Sequence, residues 1–224
     1  MFAVIRFPAS NDDRDTIFAL KSVLGVDTRE VWHKERELPA GTQAVLLPGG
    51  FSYGDYLRCG AMARFSPVVE AVQRFAAQGG PVLGICNGFQ VLCESGLLPG
   101  VLQRNHHLHF VCDSVELAVE RSRAPFTSGT EVGARLRIPI KHGEGAYQAP
   151  PDVLERIEGE GLVALRYVEN PNGSANDIAG LCNAAGNVLG MMPHPEHAVE
   201  ELIGGTDGLK ILGSMLDAVA GGAR

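Results

Sequence analysis

The sequence predicts an α/β protein built on a doubly wound, mostly parallel sheet in three layers. Three observations carry this expectation. Short apolar runs that suit buried strands alternate with segments of helical spacing, the pattern of repeated strand–helix units. Several of these runs stop abruptly at turn residues: 44–47 at Pro48-Gly49-Gly50, 82–85 at Cys86, and 188–192 at Pro193-His194. The closing segment, 208–219, places Leu209, Leu212, Leu216 and Val219 on one helical face. In such sheets the site lies at the carboxyl ends of the strands, where these three turns fall.

The elements follow in order. Residues 2–7 are expected as the first strand, ended by Pro8, and Ser10-Asn11-Asp12-Asp13 offers N-caps for a helix over 14–24. Strands are expected at 28–32 and 44–47. The Gly-rich connection from 48 to about 66 is long for a strand–helix link, and long loops are more often functional. Pro67 suits the first position of a helix reaching Gln78, with Gly79-Gly80 as its stop. Residues 82–85 form a strand and 89–95 a short helix. Further strands are expected at 111–119, 136–140, 162–168, 178–182 and 188–192. Lys141-His142-Gly143-Glu144-Gly145-Ala146-Tyr147 reads as a second Gly-rich loop with ionisable groups.

With 224 residues, 45% of them hydrophobic, the chain suits one domain, 1–224, better than two. A net charge of −7 argues against nucleic acid as a partner. No apolar stretch approaches the ~18 residues of a membrane span. The apolar N-terminus lacks a basic region and a cleavage site, so it reads as a strand and not a signal peptide. The five cysteines (59, 86, 93, 112 and 182) show no C-x-x-C spacing. That argues against a disulfide framework or zinc ribbon and points to a reducing cytoplasm.

The chemistry centres on Gly84-Ile85-Cys86-Asn87-Gly88. This is the G-x-S-x-G nucleophile elbow with cysteine in place of serine. A nucleophile on a sharp strand-to-helix turn needs neighbours without a Cβ, and the following helix N-terminus favours the thiolate. The competing reading of Cys86 is a small buried hydrophobe. Pro193-His194-Pro195-Glu196 supplies what a nucleophile requires, a base and its orienter. Pro195 keeps His194 out of helical backbone, and in extended chain residues two apart point the same way. Glu196 then fixes one ring nitrogen of His194 and leaves the other for Cys86. A turn histidine and a His194/His197 metal pair are the alternatives, and His197 also reads as a substrate-facing or surface residue. For an oxyanion, the N–H groups of Asn87 and of Gly50 are the expected donors. His106-His107-x-His109 has a spacing open to metal, against an ordinary polar loop, and no metal site is assigned.

Gly-Ile-Cys-Asn-Gly-Phe-Gln, Pro-Gly-Gly and Pro-His-Pro-Glu together resemble the triad-type (class I) glutamine amidotransferases, which have a flavodoxin-like fold. The blocks at 48–61, 141–147 and 172–180 narrow this: they are similar to the glutaminase subunits of phosphoribosylformylglycinamidine synthase, of purine biosynthesis. The similarity runs nearly the length of the chain. It implies attack of Cys86 on the carboxamide of L-glutamine, protonation of the leaving ammonia by His194, and hydrolysis of a thioester. It also implies that Gln90, with Gly49, holds the glutamine. Ammonia would pass to a large ATP-dependent synthase subunit, joined by a small third subunit. ATP and Mg²⁺ would belong to the partner, with no cofactor in this chain. The absence of G-x-x-x-x-G-K-[S/T] fits that division, and the loop 51–66 is the candidate for transmitting the partner's contact. The chain departs from the family at Ala9, where glycine is usual, and at Asp12, where cysteine is usual.

Overall fold

A computed structural model of the chain describes residues 1–121, 123 and 125–221. The last three residues of the expected domain lie outside the described ones. The strands are β1 (Phe2–Arg6), β2 (Thr28–Trp32), β3 (Ala44–Leu47), β4 (Val82–Ile85), β5 (Val101–Arg104), β6 (Val111–Val119), β7 (Arg135–His142), β8 (Glu144–Gln148), β9 (Val163–Tyr167), β10 (Ile178–Cys182) and β11 (Val188–Met191). The helices are α1 (Asp13–Phe18), α2 (Pro67–Ala77), α3 (Asn87–Glu94), α4 (Pro151–Gly159) and α5 (Gly208–Gly221). No helix among the described residues is long and apolar enough to cross a membrane.

Nine strands form one sheet in the order β2-β1-β3-β4-β11-β10-β9-β6-β7, while β5 and β8 pair separately. The first five in that order pair in parallel and the remaining neighbours pair antiparallel. Because β9 and β7 run with the parallel five, only β10 and β6 point the other way. The sheet is therefore mostly parallel in strand direction, as expected, with half of its pairings antiparallel. The parallel strands are buried on both faces, which explains their continuous apolar sequences: Val-Leu-Gly-Ile in β4 and Val-Leu-Gly-Met in β11 are buried at every residue.

Three local expectations change, and one helix is new. The segment 144–148 is a strand, β8, because its backbone pairs with β5, a partner the glycines gave no hint of. The helix α4 starts on Pro150-Pro151, prolines that suit a first turn. The first helix changes after Phe18 to a π-helical turn, Ala19–Val23. Asp12 stands at its N-cap position, yet its side chain makes no capping bond and turns elsewhere. Ala9, in the same loop, has φ 63°, the left-handed region that glycine occupies without steric cost.

β3, β4 and β11 are adjacent and parallel, so their carboxyl ends emerge side by side. This brings Gly49-Gly50, Cys86 and His194 to one edge. The elbow itself depends on close approach: a Cβ on Gly88 would run into the backbone carbonyl of Leu47 in β3. In a flat sheet β7 would lie five strand spacings, ~24 Å, from β4. Instead, Cys86 Sγ lies 3.8 Å from the carbonyl of Lys141 in β7, and His194 N donates to Pro139 O at 2.8 Å. The far half of the twisted sheet thus curls back over the carboxyl edge of the parallel half.

This packing predicts opposite outcomes for two glycines. Gly88→Ala lowers the thermal midpoint by roughly 5–10 °C, the consequence of an overpacking cost of about 2–3 kcal/mol. Gly213→Ala, inside α5 with open space around the new methyl, raises it by a few degrees through helix propensity. Calorimetric melts of both variants check this.

Candidate active site

Cys86 follows β4 with φ 50° and ψ −103° and then starts α3. A non-glycine residue there stores strain of about 1–3 kcal/mol. The strain is held by two bonds: Cys86 N donates to Met191 O at 2.7 Å, and Gln90 N donates to Cys86 O at 3.2 Å. The thiol points toward the carbonyl of Lys141. Cys86 is the cysteine at the elbow; the neighbouring Cys59 is a poor nucleophile, since burial, with Asp55 and Glu144 nearby, pushes its thiol up.

His194 is fully buried, and its Nδ1 lies 2.6 Å from Glu196 Oε1. Its Nε2 has no hydrogen-bond partner. Burial opposes its charge, but Glu196 and Cys86 beside it outweigh that and raise its pKa. The pairing comes about differently from the extended segment expected. His194 is non-helical, with ψ 89°, and Pro195 then opens a 3-10 turn, Pro195–His197. That turn swings Glu196 back under the imidazole.

The N–H groups of Gly50 and Asn87 donate to nothing within the described fold. Gly50 takes φ 132°, and a Cβ there would strike the Asn11 backbone, so only glycine serves. A cavity of about 200 Å³ opens between the first loop, the elbow and the end of β7, lined by Asp12, Gly50, Cys86, Phe110, Lys141 and His142 among others. A more open groove of about 370 Å³ near Glu116 and Arg137 does not include Cys86 in its lining.

Of the expected site residues, Cys86 and Gly50 line this cavity; Gly49, Asn87, Gln90, His194 and Glu196 do not. Gln90 is 4% exposed and acts as a tie: its Oε1 accepts from Asn87 Nδ2 at 2.8 Å and its Nε2 donates to Glu144 O at 2.5 Å. The 141–147 and 172–180 blocks meet in a buried polar network. Asn172 Nδ2 donates to His142 Nε2 at 3.0 Å and to Gly145 O at 2.9 Å, and Asn105 Nδ2 donates to His142 O at 2.9 Å. This leaves the proton of His142 on Nδ1, buried without a partner. In the histidine-rich loop, His107 accepts from His109 N at 3.1 Å and faces Pro171 O at 3.1 Å, so the backbone engages both ring nitrogens.

Two cavity residues carry more weight than their sequence context suggested. Lys141 belonged to an apparent loop and Asp12 to a helix cap. The available signal was order: β1 pairs with β3, so the loop after β1 ends on the same edge as the elbow.

Residues 1–204 match the family model described as a CobB/CobQ-like glutamine amidotransferase domain. The chain is similar to phosphoribosylformylglycinamidine synthase subunit PurQ of Synechococcus elongatus, 56% identical over 217 residues, 97% of this chain and 98% of that one. It is 53% identical to the subunit of the same name from Rhodopseudomonas palustris, with 97% of each chain covered. Among solved structures it resembles a chain of PurLQS from Thermotoga maritima, with TM-score 0.88, 45% identity, and coverage of 96% and 97%. A glutamine amidotransferase from Thermotoga maritima, 18% identical with TM-score 0.56 over 87% of this chain and 75% of that one, shares the fold.

His142 gives a pH prediction. Burial, with repulsion from His194 and His107, pushes its pKa down from 6.5 to about 3. Between those values the unfolded chain binds a proton that the folded chain refuses, so stability falls as pH drops through that window. His142→Gln keeps an acceptor for Asn172 and removes the proton site. Urea titrations at pH 7 and pH 4 then show a smaller loss for the variant than for the parent.

Proposed function

Because the chain belongs to the PurQ family, the glutaminase subunits of phosphoribosylformylglycinamidine synthase, we propose that its cavity takes L-glutamine and that Cys86, His194 and Glu196 hydrolyse it. The observation that carries this reading is the conjunction at one edge: a strained cysteine, two unbonded N–H groups and a buried His–Glu pair. Cys86 gives its proton to His194 Nε2, and the thiolate of this ion pair attacks the carboxamide carbon. The carbonyl oxygen becomes an oxyanion held by Gly50 N–H and Asn87 N–H. His194 returns the proton to the departing nitrogen, the C–N bond breaks, and ammonia leaves a cysteinyl thioester. His194 then takes a proton from water, whose oxygen attacks the thioester carbon; the C–S bond breaks, releasing glutamate and restoring the Cys86 thiolate beside the imidazolium. Glu196 holds the imidazole in the tautomer this sequence needs. Gln90 acts from behind, by fixing Asn87 and the start of β8, with Gly49 in the supporting wall.

The protein is a subunit of a multi-subunit assembly with glutamine as its substrate. Within that assembly, the proposed acceptor of ammonia is formylglycinamide ribonucleotide on a large ATP-dependent subunit, with a small third subunit beside it, all in the cytoplasm. ATP and Mg²⁺ are proposed to reside on the large subunit, with no cofactor on this chain. The only lysines are Lys21, Lys34, Lys141 and Lys210, and none follows a glycine as a P-loop lysine does. Tyr56, Leu57 and Phe65 of the long loop are 88%, 63% and 77% exposed, and the same loop lends Phe51, Asp55 and Cys59 to the cavity, so it suits partner contact.

The test uses the reconstituted complex. Cys86→Ala is expected to abolish glutamine-dependent synthesis and to leave synthesis from added ammonium largely intact. His194→Ala falls nearly as far on glutamine, since both groups act in one step, and Glu196→Gln falls less. Equal loss of both activities in Cys86→Ala would assign that residue a structural role instead.

A further inference from the structure

The proposed chemistry leaves one buried acid unexplained. Asp12 is 2% exposed, comes from the loop after β1, and caps no helix. Its Oδ1 lies 2.5 Å from Lys141 Nζ and 3.5 Å from His197 Nε2. Its Oδ2 has no hydrogen-bond partner and lies 3.6 Å from His194 Nδ1. The wall beneath is Gly49, where a Cβ would stand 2.7 Å from His194 Cε1, so the glycine leaves room for the acid and the imidazole together.

We propose that Asp12 is a positioning residue of the catalytic assembly, a second carboxylate that, clamped by Lys141, sustains His194 as an imidazolium and fixes its ring. This rests on the glutaminase reading for its consequence in catalysis, but not for its electrostatics. Glu196 accepts the Nδ1 proton at hydrogen-bond distance, so Asp12 acts through space. Two carboxylates beside one imidazole would repel each other. Lys141 offsets the second, and the four charges (Asp12 and Glu196 negative, His194 and Lys141 positive) cancel. Burial opposes ionisation of Asp12, but His197, His194 and Lys141 outweigh it and hold the carboxylate well below its usual range.

Every charged or titratable neighbour of His194 enters this balance. Glu196 and His197 come from its own turn, Asp12 from the first loop, Cys86 from the elbow, and Lys141 and His142 from the end of β7. Asp12, His194, Glu196 and His197 also have ligand atoms within 4.8 Å of one another. The ammonium of Lys141 already supplies the cation there.

Lys141 does two jobs at once. Its ammonium holds Asp12 and its backbone carbonyl faces the thiol of Cys86. The end of β7 therefore sets the spacing between the acid and the nucleophile.

The experiment is an NMR titration of the His194 imidazole nitrogens in the full-length chain, assigned with His194→Gln, without substrate. In Asp12→Asn the midpoint falls by about one pH unit or more, the size expected when an opposite charge within ~4 Å is lost. In Lys141→Met, where a positive charge leaves, the midpoint stays or rises. These opposite directions separate an electrostatic role from a general loosening of the loop. A fall in both variants, or no change in Asp12→Asn, overturns the proposal. Should Asp12→Asn not fold, the Lys141→Met titration alone decides, because a fall there contradicts the assignment. Glutamine hydrolysis is then followed against pH, and the alkaline limb of kcat/KM moves down with the His194 midpoint while kcat drops about tenfold. If the parent protein hydrolyses no glutamine, in or out of its complex, the glutaminase reading fails while the titration still judges Asp12.

Discussion

The structure depends on one backbone conformation, the left-handed turn at Cys86. A cysteine there is strained, and two neighbours keep it so. Met191 of β11 accepts its N–H, and Gly88 lets the following helix press against Leu47 of β3. Both neighbouring strands of β4 are thus recruited to hold the elbow, and those same strands lead into the other two segments of the candidate site. Gly49-Gly50 continues β3 and His194 continues β11. The strand order that holds the strained cysteine is the order that brings Gly50 and the His194 imidazole to its side.

A second constraint comes from the far end of the sheet. The antiparallel strands curl until β7 meets the carboxyl edge, where Pro139 fixes the backbone of His194 and Lys141 meets both Asp12 and Cys86. Two carboxylates and an imidazole are then buried together, with the partly exposed ammonium of Lys141 against them. Removing one charge from such a set costs more than any single contact is worth, because its partner remains desolvated. The buried network of Asn105, His142 and Asn172 anchors the segment that carries Lys141 from the opposite side. The rigidity of the cavity wall follows from satisfied polar groups as much as from apolar packing.

The parallel half of the fold was legible in the sequence because its strands are short, apolar and bounded by Pro and Gly, so that local pattern and final burial coincide. The strand β8 was not, since Gly143 and Gly145 signal a loop and only pairing with β5 overrides them. The helix α4 carries few apolar residues and opens on two prolines, a weak periodic signal. In the site, Cys86 with its two glycines and His194 with Glu196 were legible as local motifs, although a 3-10 turn and not an extended chain aligns the latter pair. Asp12 and Lys141 are 129 residues apart and meet only through strand order and sheet curl. No short motif encodes such a meeting, so the acid read as a cap and the lysine as part of a loop.

The central claim is that the strained cysteine, the two unbonded N–H groups and the His194–Glu196 pair form one reaction site. The most direct measurement is a crystal structure of the protein alkylated by a diazoketone analogue of glutamine. The account predicts a covalent bond to Cys86 Sγ, with the ketone oxygen between Gly50 N and Asn87 N and the amino-acid end in the cavity beside Lys141. An adduct on Cys59 or Cys112, or an oxygen directed away from both N–H groups, would contradict it.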